Sequence, residues 1–451
     1  MPETAKKAQI EAHEWDSDHV EDVWSFVNEA AAASPIQPIA NLGQGFFGYN
    51  PPRFAIDAAK DALDRVDCNQ CAPTKGRPRL KSVLADMYSR SLGRDINPDT
   101  EVVVTSGANE GMLCAFMGLL SPGDEAIVFE PFFDQFISSI ELAGAIVRYV
   151  SLLPPENRTT WTSRASDWAV DFPRLENLIN DRTKMIVCRL CHTGLNLHNP
   201  TGKVFTHDEI NKIGAICIQH NLILLSDEVY DRLAYQPSTS PASLTDDLYR
   251  RTLTVGSAGK ALHATGWRVG YLVGPAPLIA RVATVHTKIC YSTASPLQES
   301  VAVAYEHAEK TQFWQESRRL MQDKIRCFCK VWDELGLPYT LPDGGYFVLV
   351  NMSAVRIPAD YPFPSHIVNR RRDFRLCWFI IQELGVAAIP PSVFYSPENA
   401  SIGEKYLRFA VCKEEALLEL AKTRLRGLKK YIPEHIWPKP DMSEKKTRLV
   451  T

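Results

Sequence analysis

A lysine in a turn of small residues, followed at short range by an arginine, is the arrangement in this chain that most clearly implies chemistry. Lys260 lies in Ser257-Ala258-Gly259-Lys260, and Arg268 follows eight residues later in Thr265-Gly266-Trp267-Arg268. An amine in such a turn can form a Schiff base with an aldehyde. Ser257 and Arg268 can then hold a phosphate, the arginine through a bidentate, charge-assisted contact. Read alone, the segment describes a solvated lysine beside a buried strand equally well.

Other polar motifs narrow the choice. Thr105-Ser106-Gly107-Ala108-Asn109 is a turn leading into a helix, where free backbone N–H groups favour an anion. By itself it is also an ordinary capped helix. Glu130-Pro131-Phe132-Phe133-Asp134 offers an aromatic ring that can stack on a planar ligand or simply fill a core. Ser226-Asp227-Glu228-Val229-Tyr230 sets a carboxylate and a phenol just past an apolar run. His198-Asn199-Pro200-Thr201-Gly202-Lys203 resembles the end of a nucleotide phosphate loop. It has Leu197 in place of the leading glycine and Val204 in place of the following hydroxyl residue, which excludes nucleoside triphosphate binding.

The elements that must position these residues alternate. Apolar, β-branched runs at Glu101–Thr105, Glu125–Phe129, Lys184–Cys188, Leu222–Ser226, Thr252–Val255 and Val269–Val273 read as buried strands. Helical periods at Gly111–Leu120, Phe132–Ala143 and Thr206–His220 lie between them. The expectation is an α/β fold with a mostly parallel sheet covered by helices and a smaller α+β domain, with ligands at the carboxyl ends of the strands. After Ala302 the pattern shifts to long helices, Glu316–Glu334 and Arg372–Glu383, with short strands at Tyr346–Asn351 and Tyr406–Ala410. The expected division is an N-terminal arm over 1–50 (with a helix at Asp22–Ala33), a large domain over 51–301, a small domain over 302–432 and a loose tail over 433–451.

Composition sets the outer bounds. A chain of 451 residues, 45% apolar and 23% charged, has the make-up of a globular enzyme of two domains. A net charge of −3 without a basic stripe argues against nucleic acid and membrane surfaces. Neither a secretory signal nor a membrane-length apolar run is visible, so a cytoplasmic location is expected, with a mitochondrial one left open. Eleven cysteines in such a chain read as reduced thiols. Cys68-x-x-Cys71 with Cys188-x-x-Cys191 matches a four-thiolate zinc set, and Cys188-x-x-Cys191-His192 matches haem-attachment spacing. The zinc pairs sit beside segments better explained otherwise, haem attachment needs an exported or organellar context that the N-terminus does not advertise, and no metal is expected. Cys327-Phe328-Cys329 reads as packing within a helix.

Taken together, the strand-end motifs match the needs of pyridoxal 5'-phosphate. That cofactor requires an amine, a carboxylate at its ring nitrogen, donors to its phenolate oxygen, a phosphate cradle and a ring to stack on. The chain resembles the fold-type I aminotransferases of the aspartate aminotransferase superfamily, and within them the kynurenine aminotransferase/glutamine transaminase K group. The resemblance runs from Trp24 to Lys413 and rests on Asn41-Leu42-Gly43-Gln44-Gly45-Phe46, on Glu130 to Asp134, on His198 to Lys203, on Ser226 to Tyr230 and on Ser257 to Lys260.

The resemblance implies roles. Lys260 would be the Schiff-base lysine and proton shuttle, Asp227 the partner of the pyridine nitrogen, and Tyr230 and Asn199 donors to the phenolate oxygen. Phe133 would stack on the ring, while Gly107 and Ala108 (through their backbone), Ser257 and Arg268 would hold the phosphate. Arg408 would clamp the substrate carboxylate, helped by Asn199 and the Gly45 backbone, and Trp24 would wall an aromatic pocket. A homodimer with shared active sites is implied, with an amino acid and a 2-oxo acid as substrates. Cys71 departs from the family's tyrosine in Asn69-Gln70-Cys71, and Cys191–Leu197 lengthens the turn before His198. The implied reaction is transamination of an aromatic or sulfur-containing L-amino acid, kynurenine included. β-Elimination from cysteine S-conjugates is the alternative, since it starts from the same carbanion. A weakly catalytic regulator fits less well, because the N-terminal arm has no room for a DNA-binding domain.

Overall fold

The computed structural model describes residues 23–155, 162–188, 198–235 and 240–434. Its centre is an eight-stranded sheet. In spatial order the strands are Val102–Thr105, Gly270–Val273, Thr252–Ser257, Ile223–Asp227, Thr183–Cys188, Glu125–Glu130, Ile146–Leu153 and Ala169–Val170. From Thr252–Ser257 to Ile146–Leu153 neighbouring strands are parallel. Gly270–Val273 runs against both its neighbours, and Ala169–Val170 runs against Ile146–Leu153. The sheet is therefore mixed, although its middle is parallel as expected. Every residue of Val102–Thr105, Glu125–Glu130 and Thr252–Ser257 is buried, which explains why Val102 to Val104 and Ala126 to Phe129 are continuously apolar instead of alternating.

Helices cover the faces, and their ends follow local rules. His207–Gln219 starts on Thr206, whose hydroxyl accepts from the Glu209 N–H while the Glu209 carboxylate accepts from the Thr206 N–H. Phe313–Leu335 ends on Gly336 at φ +67°, a left-handed cap that glycine adopts without strain. That helix is strongly amphipathic and buries Trp314, Met321, Ile325, Phe328 and Trp332 along one stripe. Cys329 joins this buried stripe, whereas Cys327 is exposed; residues two apart on a helix lie on opposite sides, so only part of the expected cysteine packing is present. Among the described thiols of the two proposed zinc pairs, Cys68 and Cys188 are buried and Cys71 is exposed, while Cys191 lies outside the described residues.

A second sheet of four strands, Tyr406–Ala410, Phe347–Asn351, Tyr339–Leu341 and Ser163–Arg164, belongs mainly to the C-terminal part. The position expected to divide the domains lies inside the helix Ser295–Lys310, which packs on Arg53–Leu63 and Pro78–Leu92. The helix Val23–Ala33 packs on Arg372–Leu384, with Phe26 and Phe374 ring centroids 5.0 Å apart. Asp22, expected as its first residue, lies outside the described residues, as do the lengthened turn Cys191–Leu197 and most of the tail. A two-residue strand, Ala40–Asn41, pairs in parallel with Val386–Ala387 and launches the loop that follows. None of the described helices is long and apolar enough to cross a membrane.

Candidate active site

Three sheet neighbours bring the phosphate-binding candidates together. Gly270 pairs with Thr105 on one side and Ser257 on the other. Because its strand runs backwards, the residues just before it emerge where the other two strands end. Arg268, two residues earlier, thus meets the Ser106–Ala108 turn. A Cβ on Gly107 would stand 2.3 Å from the Arg268 Nη2, so only glycine admits the guanidinium there. Gly107 also has φ +87°. The helix Ala108–Leu119 begins directly after it, three residues sooner than the sequence pattern implies, so the first turn with its free N–H groups starts beside Arg268. Ser257 ends its strand and precedes the short helix Ala258–Ala261 that carries Lys260.

Asp227 is the last residue of Ile223–Asp227, registers against Val255 and is buried. The neighbouring carboxylate faces a different fate. Glu228 accepts from the Ser226 hydroxyl at 2.7 Å, and burial pushes its carboxyl well above the usual range. Adjacent acids on one turn therefore have distinct surroundings.

A second group gathers around a cavity of about 550 Å³, whose walls include Trp24, Gly45, Phe133, Asn199, Tyr230, Lys260 and Arg408. Every substrate-side candidate from the sequence is among them. The Lys260 ammonium lies 3.2 Å from the Tyr346 hydroxyl and 3.5 Å from the Gly45 carbonyl. Tyr346 in turn donates to that same carbonyl at 2.8 Å. Tyr230 crosses Tyr346 edge to face, with ring centroids 5.5 Å apart, and Lys260 Nζ sits 5.6 Å from the Tyr230 ring centroid. Phe133 precedes the helix Asp134–Leu142 instead of lying within it, and is only partly buried, which leaves it on the cavity wall.

Arg408 is held by contacts within the protein. It lies in Tyr406–Ala410 opposite Leu349. Its Nη1 donates to Asn199 Oδ1 at 2.9 Å and its Nη2 to the Gly43 carbonyl at 3.1 Å. The guanidinium carbon stands 4.3 Å from the Phe347 ring centroid and 5.0 Å from that of Phe394. A buried, aromatic-flanked fork of this kind suits a carboxylate.

The loop joining these groups has its own supports. Asn41 Oδ1 accepts from the N–H groups of Gly43 and Gln44, a side-chain-closed turn. Lys413 donates to the carbonyls of Gln44 at 2.9 Å and Phe46 at 2.7 Å, and its ammonium lies 3.8 Å from the Phe46 ring centroid. Burial lowers the Lys413 pKa. Sequence reasoning misses Tyr346, Phe347, Phe394 and Lys413 as site residues. The apolar pattern starts a strand at Tyr346, whereas the strand begins at Phe347; the Gly344-Gly345 pair before it is the available sign of a close approach.

Comparison with known proteins gives the family. A family model described as aminotransferase class I and II matches residues 37–423. The probable kynurenine–oxoglutarate transaminase BNA3 of Saccharomyces cerevisiae is 46% identical over 424 residues, which cover 92% of this chain and 94% of that protein. Human kynurenine–oxoglutarate transaminase 1 is 34% identical over 404 residues, 87% of this chain and 92% of its own. The crystal structure of Bna3p from Saccharomyces cerevisiae superposes with a TM-score of 0.88 at 46% identity, covering 92% of this chain and 98% of that one.

Proposed function

Because the chain belongs to the class I and II aminotransferases, we propose that its cavity transfers the amino group of L-kynurenine, or of a related aromatic or sulfur-containing L-amino acid, to a 2-oxo acid such as 2-oxoglutarate. The observation that carries this reading is the Gly43–Gly45 loop. Its Gly43 carbonyl holds Arg408 and its Gly45 carbonyl holds Lys260 and Tyr346, so one short segment sets the distance between a carboxylate clamp and a reactive amine. An α-amino acid needs both at once.

The residues present fit pyridoxal 5'-phosphate. Gly107 leaves room for Arg268 against a helix start, and Asp227 offers a buried carboxylate one strand away from Ser257. Lys260 would hold the cofactor's aldehyde carbon, Asp227 its ring nitrogen, Tyr230 and Asn199 its phenolate oxygen, and Phe133 its ring face. Gly107, Ala108, Ser257 and Arg268 would hold its phosphate. When bound, it supplies an electron-withdrawing ring that acidifies the substrate's Cα–H.

The protein's own part is positioning and proton handling. Arg408 takes the substrate α-carboxylate, with Asn199 fixing the fork's orientation. Lys260 Nζ moves the proton that leaves Cα, and the Tyr346 hydroxyl keeps the amine aimed into the cavity. Trp24, Phe347 and Phe394 supply apolar surface for an aromatic side chain and exclude water from it. We further propose a homodimer, with the exposed Cys71 segment facing the neighbouring subunit.

The test is turnover of L-kynurenine with 2-oxoglutarate, set against a panel of aromatic, sulfur-containing and acidic amino donors. Kynurenine and aromatic donors should lead the panel, and Lys260→Ala should lose both turnover and the absorbance of covalently held cofactor. A panel led by acidic donors would overturn the substrate assignment; full activity in Lys260→Ala would overturn the site.

A further inference from the structure

On the far side of the Ser106 turn, two helices set four donor side chains against one another. Glu110 and Cys114 are one helical turn apart on Ala108–Leu119, and His286 and Cys290 are one turn apart at the end of Ala276–Ile289. Glu110 Oε1 lies 2.8 Å from His286 Nδ1 and accepts from the Cys114 thiol at 2.9 Å. Cys290 Sγ is 3.4 Å from His286 Nδ1. One donor atom from each of Glu110, His286 and Cys290 lies within 4.8 Å of the other two.

We infer that Glu110, His286 and Cys290 form a binding site for a thiophilic divalent cation, Zn2+ by preference. Tetrahedral zinc with bonds of about 2.0–2.3 Å sets its donors roughly 3.3–3.8 Å apart. The spacings here straddle that range, so small shifts of the side chains close the site. Imidazole and thiolate select zinc over magnesium or calcium, which take all-oxygen sets. The fourth position belongs to water.

Surrounding contacts orient the donors. His286 is fully buried between the helices. Glu110 Oε1 accepts from the Cys114 thiol and faces His286 Nδ1, while its Oε2 accepts from the Ser106 N–H, so its carboxylate is fixed in direction from both sides. The Ser106 hydroxyl lies 3.5 Å from Cys290 Sγ. The cation would thus tie both helices to the turn that leads into Gly107. Binding forms three protein–metal bonds: the Cys290 thiol releases its proton to solvent, the His286 proton shared with Glu110 moves from Nδ1 to Nε2 so that the neutral imidazole can ligate, and no oxidation state changes.

The experiment uses the full-length, cofactor-loaded protein after dialysis against a chelator. Co2+ is the optical probe, because its visible d–d absorption in a tetrahedral site is intense; Zn2+ is then added as competitor and counted by elemental analysis. One equivalent per chain should bind, and Zn2+ should displace the Co2+ absorption. Cys290→Ser and His286→Gln should each weaken Zn2+ by at least about tenfold, while Cys327→Ser, which alters an exposed thiol on another helix, should leave it unchanged. If His286→Gln fails to fold, the partly exposed and near-isosteric Cys290→Ser carries the test. Loss of the tetrahedral Co2+ spectrum in that variant supports the site. Wild-type protein without such a spectrum, or folded Cys290→Ser with unchanged affinity, overturns it.

Discussion

The Tyr346 hydroxyl lies 3.2 Å from the Lys260 ammonium while donating its own proton to the Gly45 carbonyl. Tyr346 is fully buried, and burial holds its phenol well above the usual range, so it stays a neutral hydroxyl at every working pH. It can accept from the amine in one state and release it in the next without changing charge. Tyr346→Phe should retain cofactor yet lower kcat about three- to tenfold, the net worth of one hydrogen bond at roughly 1 kcal/mol. Measured across pH, the variant's kcat profile should also move, because the amine loses its neutral partner. An unchanged rate and profile would remove Tyr346 from the proton path.

Asp227 should matter to rate more than to binding. The amide of Asp227→Asn keeps the shape but cannot hold a proton on the cofactor's ring nitrogen. We expect kcat to fall on the order of 100-fold or more, about 3 kcal/mol in barrier. Single-turnover absorbance with saturating amino donor reads this directly, and near-normal kcat would contradict the role.

The carboxylate clamp proposed for Arg408 should serve both half-reactions, since amino acid and oxo acid share an α-carboxylate. Arg408→Ala should cost about 2–5 kcal/mol in kcat/KM for each substrate. Arg408→Lys preserves charge but cannot satisfy Asn199, Gly43 and a carboxylate from one nitrogen, so it should also be impaired. Separate kinetics with each substrate check this; an effect confined to one of them would be inconsistent with a shared clamp.

His263 should make the fold sensitive to mild acid. Burial, with Lys324 adding repulsion, lowers its pKa from 6.5 to about 4. Between those values the unfolded chain binds a proton that the folded chain refuses, so stability is present above pH 6.5 and is lost as pH falls toward 4. A tenfold change in proton affinity is worth about 1.4 kcal/mol, so the whole window carries roughly 3 kcal/mol. Urea unfolding at pH 7 and pH 5 should show wild-type protein losing on the order of 2 kcal/mol more than His263→Gln. Equal losses in the two proteins would place the acid sensitivity elsewhere.

The parts legible in the sequence are those written locally. Asp227 and Gly107 closely follow apolar runs, Lys260 follows the partly β-branched run Thr252–Val255 through a turn of small residues, and a buried strand announces its own end. Arg408 is reached only through family likeness, because a lone arginine inside Tyr406–Ala410 has no local pattern that sets it apart. Tyr346 and Lys413 escape for a physical reason. Their partners are backbone carbonyls of a loop 301 and 367 residues earlier, and a carbonyl leaves no mark in the sequence. The reversed direction of Gly270–Val273 is equally invisible, since a fully buried strand reads the same whichever way it points.

That reversed strand has a consequence for how the protein is made. Gly270–Val273 is wedged between Val102–Thr105 and Thr252–Ser257, segments that leave the ribosome far apart in time. Until it slots in, Arg268 has no Gly107 to meet, and the anion cradle does not exist. Closing contacts across so long a stretch of chain is entropically costly, so the cradle belongs to a late stage of assembly. The phosphate-holding role proposed for Gly107, Ser257 and Arg268 therefore requires a completed sheet: a nascent chain halted before Gly270 would carry Lys260 but not the strand that brings Arg268 to Gly107.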